Sequence, residues 1–126
     1  MDEIIWNTNN PLGISVILKQ STYDEHISDE PKRTELEVEN LQAVLQNVKG
    51  IIEHPRFIYC DKNFEGNSRQ RYLDFVFMED RSAIRSLVVI VDTDREPNEI
   101  VTWTIKRNLS QENPSKDEII YDSCAY

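Results

Sequence analysis

The strongest pattern in the chain is a stripe of apolar side chains at helical spacing between residues 34 and 54. The stripe advances in steps of three and four residues through Val38, Leu41, Leu45, Val48 and Ile52, and is widened by Val44 and Ile51. Thr34 with Glu37 three residues later is a capping box, and His54-Pro55 marks the end because the residue before a proline avoids helical angles. The pattern therefore predicts an amphipathic helix of about five turns.

Shorter patterns surround this helix. Residues 13–19 (GISVILK) predict a first strand, and Ser21 followed by Asp24 predicts a short helix from 21 to about 29. After residue 56 the apolar period changes to that of strands, with turn residues between them. The predicted strands span 57–60, 71–78, 86–91 and 100–107, and the polar tail from 110 onward predicts a loop with one short element.

This order of elements indicates the fold class α+β, with an N-terminal strand and two helices packed on an antiparallel four-stranded sheet. In the strand at 71–78, alternation places Leu73, Phe75 and Phe77 on one face, which we expect to receive the long helix. The chain contains no repeat and no linker-like tract, which predicts a single domain over 1–126. Its core elements fall within about 13–109, and 110–126 is a polar tail.

The charge balance narrows the classes of partner. The chain has 23 acidic and 14 basic residues, a net charge of −9. This argues against sequence-blind binding to nucleic acid or an anionic membrane, although a local basic pocket stays open. The sequence has no apolar run near the roughly 20 residues of a membrane helix and no signal-peptide pattern at its acidic N-terminus, so we expect a cytoplasmic protein. Cys60 and Cys124 show no metal-ligand spacing with each other or with the histidines, so we expect no metal and no cofactor.

The last predicted strand carries the most informative polar side chains. Alternation places Ile100, Thr102, Thr104 and Lys106 on one face, opposite the face of Val101, Trp103, Ile105 and Arg107. The first set presents two hydroxyl groups and an ammonium group in a row on a rigid element. An ordinary solvated sheet face is the alternative interpretation, because threonine is a preferred strand residue and lysine often guards exposed sheet.

His26 is the second candidate, on the short helix one turn after Tyr23 and at the border of its buried face. A neutral imidazole can take a proton from a hydroxyl group and return it to a leaving group, so His26 is a candidate general base. The alternative is a partly buried histidine that only forms a hydrogen bond. Asp92 and Asp94 share a strand face and could hold a magnesium ion, but the sequence DTDREPNE is also typical of a turn, which we favour.

Several of these segments together resemble a known family. They are the segment from Lys19 to Ile27 (KQSTYDEHI), the long helix that ends at a proline, and the late strand with threonine and lysine. In this order they resemble the phage-associated barnase/EndoU/colicin/RelE-like nucleases, small α+β RNA-cleaving domains of phage proteins and bacterial toxins. The resemblance covers residues 13 to 109 in order of elements. It implies metal-independent ribonuclease activity, with His26 matching the family histidine and Thr104 and Lys106 matching the polar residues of the last strand.

The resemblance implies a mechanism in which a ribose 2′-hydroxyl attacks the adjacent phosphate. His26 would move a proton, Lys106 and Arg71 would offset the charge on the phosphorane, and Thr104 would donate to a non-bridging oxygen. No metal is needed, because the substrate carries its own nucleophile. The predicted site therefore has His26, Thr104 and Lys106 as catalytic residues and Arg71, Thr102 and Tyr23 as substrate-binding residues.

The acidic charge supports a rival function from another class. A non-catalytic immunity protein or antitoxin would use an acidic surface to neutralise a basic partner protein. A nuclease requires His26, Thr104 and Lys106 to converge in one cleft, whereas a binding protein has no reason to gather them.

Overall fold

A computed structural model describes residues 3–28, 41–60, 68–78, 83–106 and 119–123 of the chain. These residues form two helices, α1 (Gln20–Ser28) and α2 (Leu41–Glu53). They also form seven strands: β1 (Ile4–Asn9), β2 (Ser15–Lys19), β3 (Phe57–Cys60), β4 (Arg69–Met78), β5 (Ala83–Asp92), β6 (Asn98–Lys106) and β7 (Ile119–Asp122). The predicted helix over 34–54 is described from Leu41, and its predicted first part, 34–40, lies outside the described residues.

All seven strands belong to one sheet, in the order β1-β2-β6-β5-β4-β3-β7. β2 pairs with β6 in parallel, and every other neighbouring pair is antiparallel. The predicted fold class, two helices on a four-stranded antiparallel sheet, is therefore wrong. The described residues form one seven-stranded mixed sheet, which makes up most of the structure, and two helices. Local periodicity identifies strands but does not reveal a parallel pairing between segments far apart in the chain, such as Val16 with Asn98.

One face of the sheet, called here the first face, carries the main core and packs against α2. Its fully buried side chains include Trp103 from β6 and Tyr72 from β4, and α2 contributes Val48, Ile51 and Ile52. The remaining members of this core cluster are Val16, Leu18, Ile58, Leu87, Val89, Val91 and Ile100. The described part of the apolar stripe of α2, which is Val48, Ile51 and Ile52, therefore lies against the sheet, as its helical spacing predicts. The side chains of Leu41, Val44 and Leu45 lie outside the described residues.

The second face carries a smaller apolar cluster. Its buried members are Tyr59, Leu73 and Val88, with Phe57 and Ile90 packed against them. The expectation that Leu73 and Phe75 face the long helix is therefore wrong. Alternation in β4 sends Tyr72, not its neighbour Leu73, to the first face, and Phe75 is 40% exposed. The side chain of Phe77 lies outside the described residues.

A bulge in β6 changes its predicted alternation. Ile90 pairs with Thr102 but Val91 pairs with Ile100, so the register shifts at Val101. The extra residue turns Ile100 onto the first face, where it is fully buried with Trp103, instead of onto the face of Thr102. The two threonines keep their predicted common face.

Two strands and one turn complete the N- and C-terminal parts of the sheet. β1, which the sequence did not predict, pairs with β2 across a turn at Asn10, where Gly13 adopts a left-handed φ of 81°. β7, from the predicted polar tail, pairs with β3. None of the helices in the described residues is long and apolar enough to span a membrane.

Candidate functional site

Three of the predicted site residues lie on the second face of the sheet. Thr104 pairs with Val88, and Thr102 pairs with Ile90. Directly opposed residues of an antiparallel pair share a face, so both threonines lie on the side of the second cluster. Ile90 also pairs with Arg71 on its other side, so Arg71 and Thr102 belong to one cross-strand row with a single residue between them. Both threonines and Arg71 are half-buried.

Tyr23 lies on the other side of the sheet. Its ring is partly buried against the first-face cluster that contains Trp103. Neighbouring residues of β6 point to opposite faces, so the Tyr23 ring is separated from Thr102 and Thr104 by the sheet. The structure therefore does not group Tyr23 with the threonine row.

His26 and Lys106 are placed by their backbones only, since their side chains lie outside the described part of the structure. His26 is in the last half of α1, which packs against both β2 and β6. Lys106 is the last residue of β6 and pairs with Ser86. The convergence of these two side chains with Thr104 stays a prediction.

The backbone explains why α1 lies beside β6. β2 pairs with β6 only at Asn98 and Glu99, and α1 begins at Gln20, directly after the end of β2. Beyond Glu99, β2 no longer pairs with β6. Among the described elements, α1 lies next to this later part of β6 on the side that β2 has left.

An ion cluster around the buried Glu99 joins the same elements. Glu99, which is 3% exposed, accepts a hydrogen bond of 2.6 Å from Arg95 Nη1 and lies 3.1 Å from Lys19 Nζ. Burial of a carboxylate is tolerated when such cations offset its lost hydration. Lys19 is the residue immediately before α1, so the cluster fixes the start of α1 to β6. The sequence pattern does not predict this cluster, and only the spacing of four residues between Arg95 and Glu99 indicates one of its ion pairs.

The acidic turn before β6 is explained by the same cluster. Asp92 Oδ2 lies 3.5 Å from Arg95 Nε, and Asp92 Oδ1 accepts a hydrogen bond of 3.0 Å from the backbone N–H of Asp94. The hydrogen bond and charge of Glu99 raise the pKa of the Arg95 guanidinium above its ordinary value. Asp92 therefore serves the turn and the ion cluster, as the turn interpretation of this segment expects.

A separate polar groove of about 770 Å³ lies between β1 and the C-terminal end of α2. Its lining comprises Asn7, Thr8, Asn9, Asn10, Pro11, Ser15, Glu53 and His54. Thr8 Oγ1 donates a hydrogen bond to Glu53 Oε2, and Ser15 Oγ donates one of 2.8 Å to Asn7 Oδ1. The sequence pattern does not predict this groove, because it does not predict β1.

No family model, curated protein or solved structure matches the chain.

Proposed function

We propose that this protein is a small metal-independent ribonuclease of phage or bacterial toxin type that acts on RNA in the cytoplasm. The observation that supports this most is the packing of α1, which carries His26, against β6, which carries Thr104 and Lys106. An imidazole, a hydroxyl and an ammonium group on adjoining elements provide the three functions that 2′-hydroxyl attack on a phosphate needs.

In this mechanism the ribose 2′-hydroxyl is the nucleophile. His26 takes the 2′-hydroxyl proton as the O2′–P bond forms and returns it to the 5′-oxygen as the P–O5′ bond breaks. Thr104 donates a hydrogen bond to a non-bridging phosphate oxygen. Lys106 offsets the negative charge that builds on the phosphorane, and Arg71 and Thr102, which share a row of the second face, hold the neighbouring part of the RNA. Tyr23 anchors α1 to the first-face core instead of contacting RNA.

The buried Glu99 supports this arrangement from the other end of α1. It holds Lys19, the last residue of β2, so the helix starts at a fixed position beside β6. A general base has to be held at hydrogen-bond distance from its substrate, and a fixed helix start limits how far His26 can move.

An RNA cleavage assay in the presence of a chelator tests the proposal. General acid–base catalysis contributes about 10²–10⁴-fold, so His26→Ala should lose most of the rate while circular dichroism shows an unchanged fold. His54→Ala is the matched control, because it removes the other histidine, which is exposed just after α2. Equal rates for wild type and His26→Ala would remove His26 from the mechanism.

The net charge of −9 favours a second candidate, a non-catalytic acidic protein of the immunity or antitoxin type with a basic protein partner. Well-folded wild-type protein that leaves RNA intact under all conditions of the assay would favour this candidate over the ribonuclease.

A further inference from the structure

The polar groove beside β1 is lined by side chains from both faces of β1, which is the first strand in the sheet order. Thr8 pairs with Val16, a member of the first-face core, whereas Asn7 and Asn9 pair with Ile17 and Ser15 and lie on the opposite side. The groove is lined from both sides of the strand. Its surface is therefore the outer edge of β1 together with the side chains that flank this edge.

β1 is the first strand in the sheet order, and among the described residues no strand lies beyond it. An edge strand presents backbone N–H and C=O groups that can pair with an extended chain. The exposed side chains of Asn7 and Asn9 place no large apolar group in the way of such a chain.

The first-face wall of the groove is suited to a cation. Glu53 is half-buried at the end of α2, and only its Oε2 atom accepts a hydrogen bond, from Thr8, among the described residues. Lys49 lies one turn earlier at an exposed position, and the ion pairs among the described residues do not include one between Lys49 and Glu53. The C-terminal end of a helix carries partial negative charge, which adds to that of Glu53. The carboxylate therefore retains acceptor capacity that faces the groove.

We propose that this groove binds an extended basic segment of a partner protein. The segment pairs with the outer edge of β1, and an arginine or lysine side chain of the segment contacts Glu53. Alternate side chains of such a segment point to opposite sides of β1, so the next side chain meets Asn7 and Asn9. The net charge of −9 favours approach of a basic partner. This inference does not depend on RNA cleavage.

A fluorescence anisotropy titration with a short labelled peptide of alternating threonine and arginine tests the proposal on the full chain. Glu53→Gln should weaken binding by about 5- to 30-fold, since one or two charged contacts of this kind are lost. Glu96→Gln is the matched control, because it removes the same charge from an exposed position in the turn before β6. It should change the affinity by less than about twofold, as a distant exposed charge is screened by salt.

Two altered peptides separate the parts of the proposal. Citrulline in place of arginine keeps the shape but removes the charge, and should weaken binding as Glu53→Gln does. N-methylation of alternate backbone amides prevents strand pairing and should abolish binding. No binding of the arginine peptide, equal effects of Glu53→Gln and Glu96→Gln, or undiminished binding of the N-methylated peptide would each overturn the proposal.

Discussion

Asn10 joins the turn between β1 and β2 to Tyr72 in the core of the first face. Its side-chain N–H donates a hydrogen bond of 2.8 Å to the phenol oxygen of Tyr72, 62 positions away in the sequence. The amide oxygen of Asn10 accepts two more, each 2.9 Å long, from the backbone N–H groups of Leu12 and Ile14. One buried side chain thus closes the turn and fixes it to the main core.

Replacement of Asn10 should destabilise the protein more than replacement of its neighbour. Asn10→Ala leaves the buried phenol of Tyr72 and the turn amides without their partner, which costs about 1–3 kcal/mol. Asn9→Ala, at an exposed position of the same segment, should change the free energy of unfolding by less than about 0.5 kcal/mol. Urea denaturation of both variants measures the difference, and equal midpoints would contradict the structural role of Asn10.

The Tyr72 phenol should also make stability depend on alkaline pH. Burial raises its pKa, and the hydrogen bond from Asn10 lowers it by less. Because the folded state favours the neutral phenol, the stabilisation is complete below the unfolded pKa of about 10 and is lost as pH rises through the higher folded pKa. Tyr72→Phe should therefore lose less stability than wild type between neutral pH and pH values above about 10. If the free energy of unfolding of wild type and of Tyr72→Phe changed with pH in the same way, Tyr72 would not be the source of the alkaline pH dependence.

The ion cluster around Glu99 should respond non-additively to substitution. Lys19→Met or Arg95→Met alone leaves Glu99 with one cation, whereas the double variant leaves a buried carboxylate unpaired. The double variant should lose about 3–5 kcal/mol, more than the sum of the two single variants. Adding Glu99→Gln to the double variant should restore part of the lost free energy of unfolding, because the buried carboxylate is then neutral. If the effects of the two single variants simply add, and Glu99→Gln restores nothing, the three residues do not act as one cluster.

The packing of α2 on the sheet gives a simpler test. Ile52 is fully buried in the first-face core, so Ile52→Ala should lower the free energy of unfolding by about 2–5 kcal/mol. Gln46→Ala, at an exposed position of the same helix, should have an effect within about 0.5 kcal/mol. Similar denaturation midpoints for the two variants would mean that α2 does not pack as described.

Much of the local structure could be predicted from the sequence, because it follows from short-range periodicity. β3 has its predicted bounds of 57–60, and α1 spans 20–28 against a predicted 21–29. β1 was missed because its apolar residues come first and its second half, from Asn7 onward, is polar. The wrong face for Leu73 and the hidden bulge at Val101 arise from packing between distant strands, which alternation alone does not fix.

Some features of the candidate site also follow from local alternation, whereas others depend on packing between distant elements. The common face of Thr102 and Thr104 follows from strand alternation and could be predicted. The separation of Tyr23 from that face could not be predicted, because it depends on how α1 packs at the edge of β6. The buried position of Glu99 was equally hidden, because it requires the parallel pairing of Ile17 with that residue.

Lys106 should contribute to the rate of RNA cleavage without contributing much to stability. Lys106→Gln removes the charge that stabilises the phosphorane, so the cleavage rate should fall by about 10²–10³-fold. Lys49→Gln removes the same charge from the exposed surface of α2 and should leave the rate within about twofold of wild type. A comparable loss of rate in both variants would attribute the effect to overall charge.

The chemical ends of the RNA products test the central claim most directly. Attack by the ribose 2′-hydroxyl, with His26 moving the proton, leaves a 2′,3′-cyclic phosphate on one product and a 5′-hydroxyl on the other. Mass spectrometry of RNA treated with wild-type protein in the presence of a chelator should show these ends, and their rate of appearance should fall by about 10²–10⁴-fold with His26→Ala. Intact RNA after incubation with folded wild-type protein, or products that carry a 5′-phosphate, would contradict the proposed mechanism.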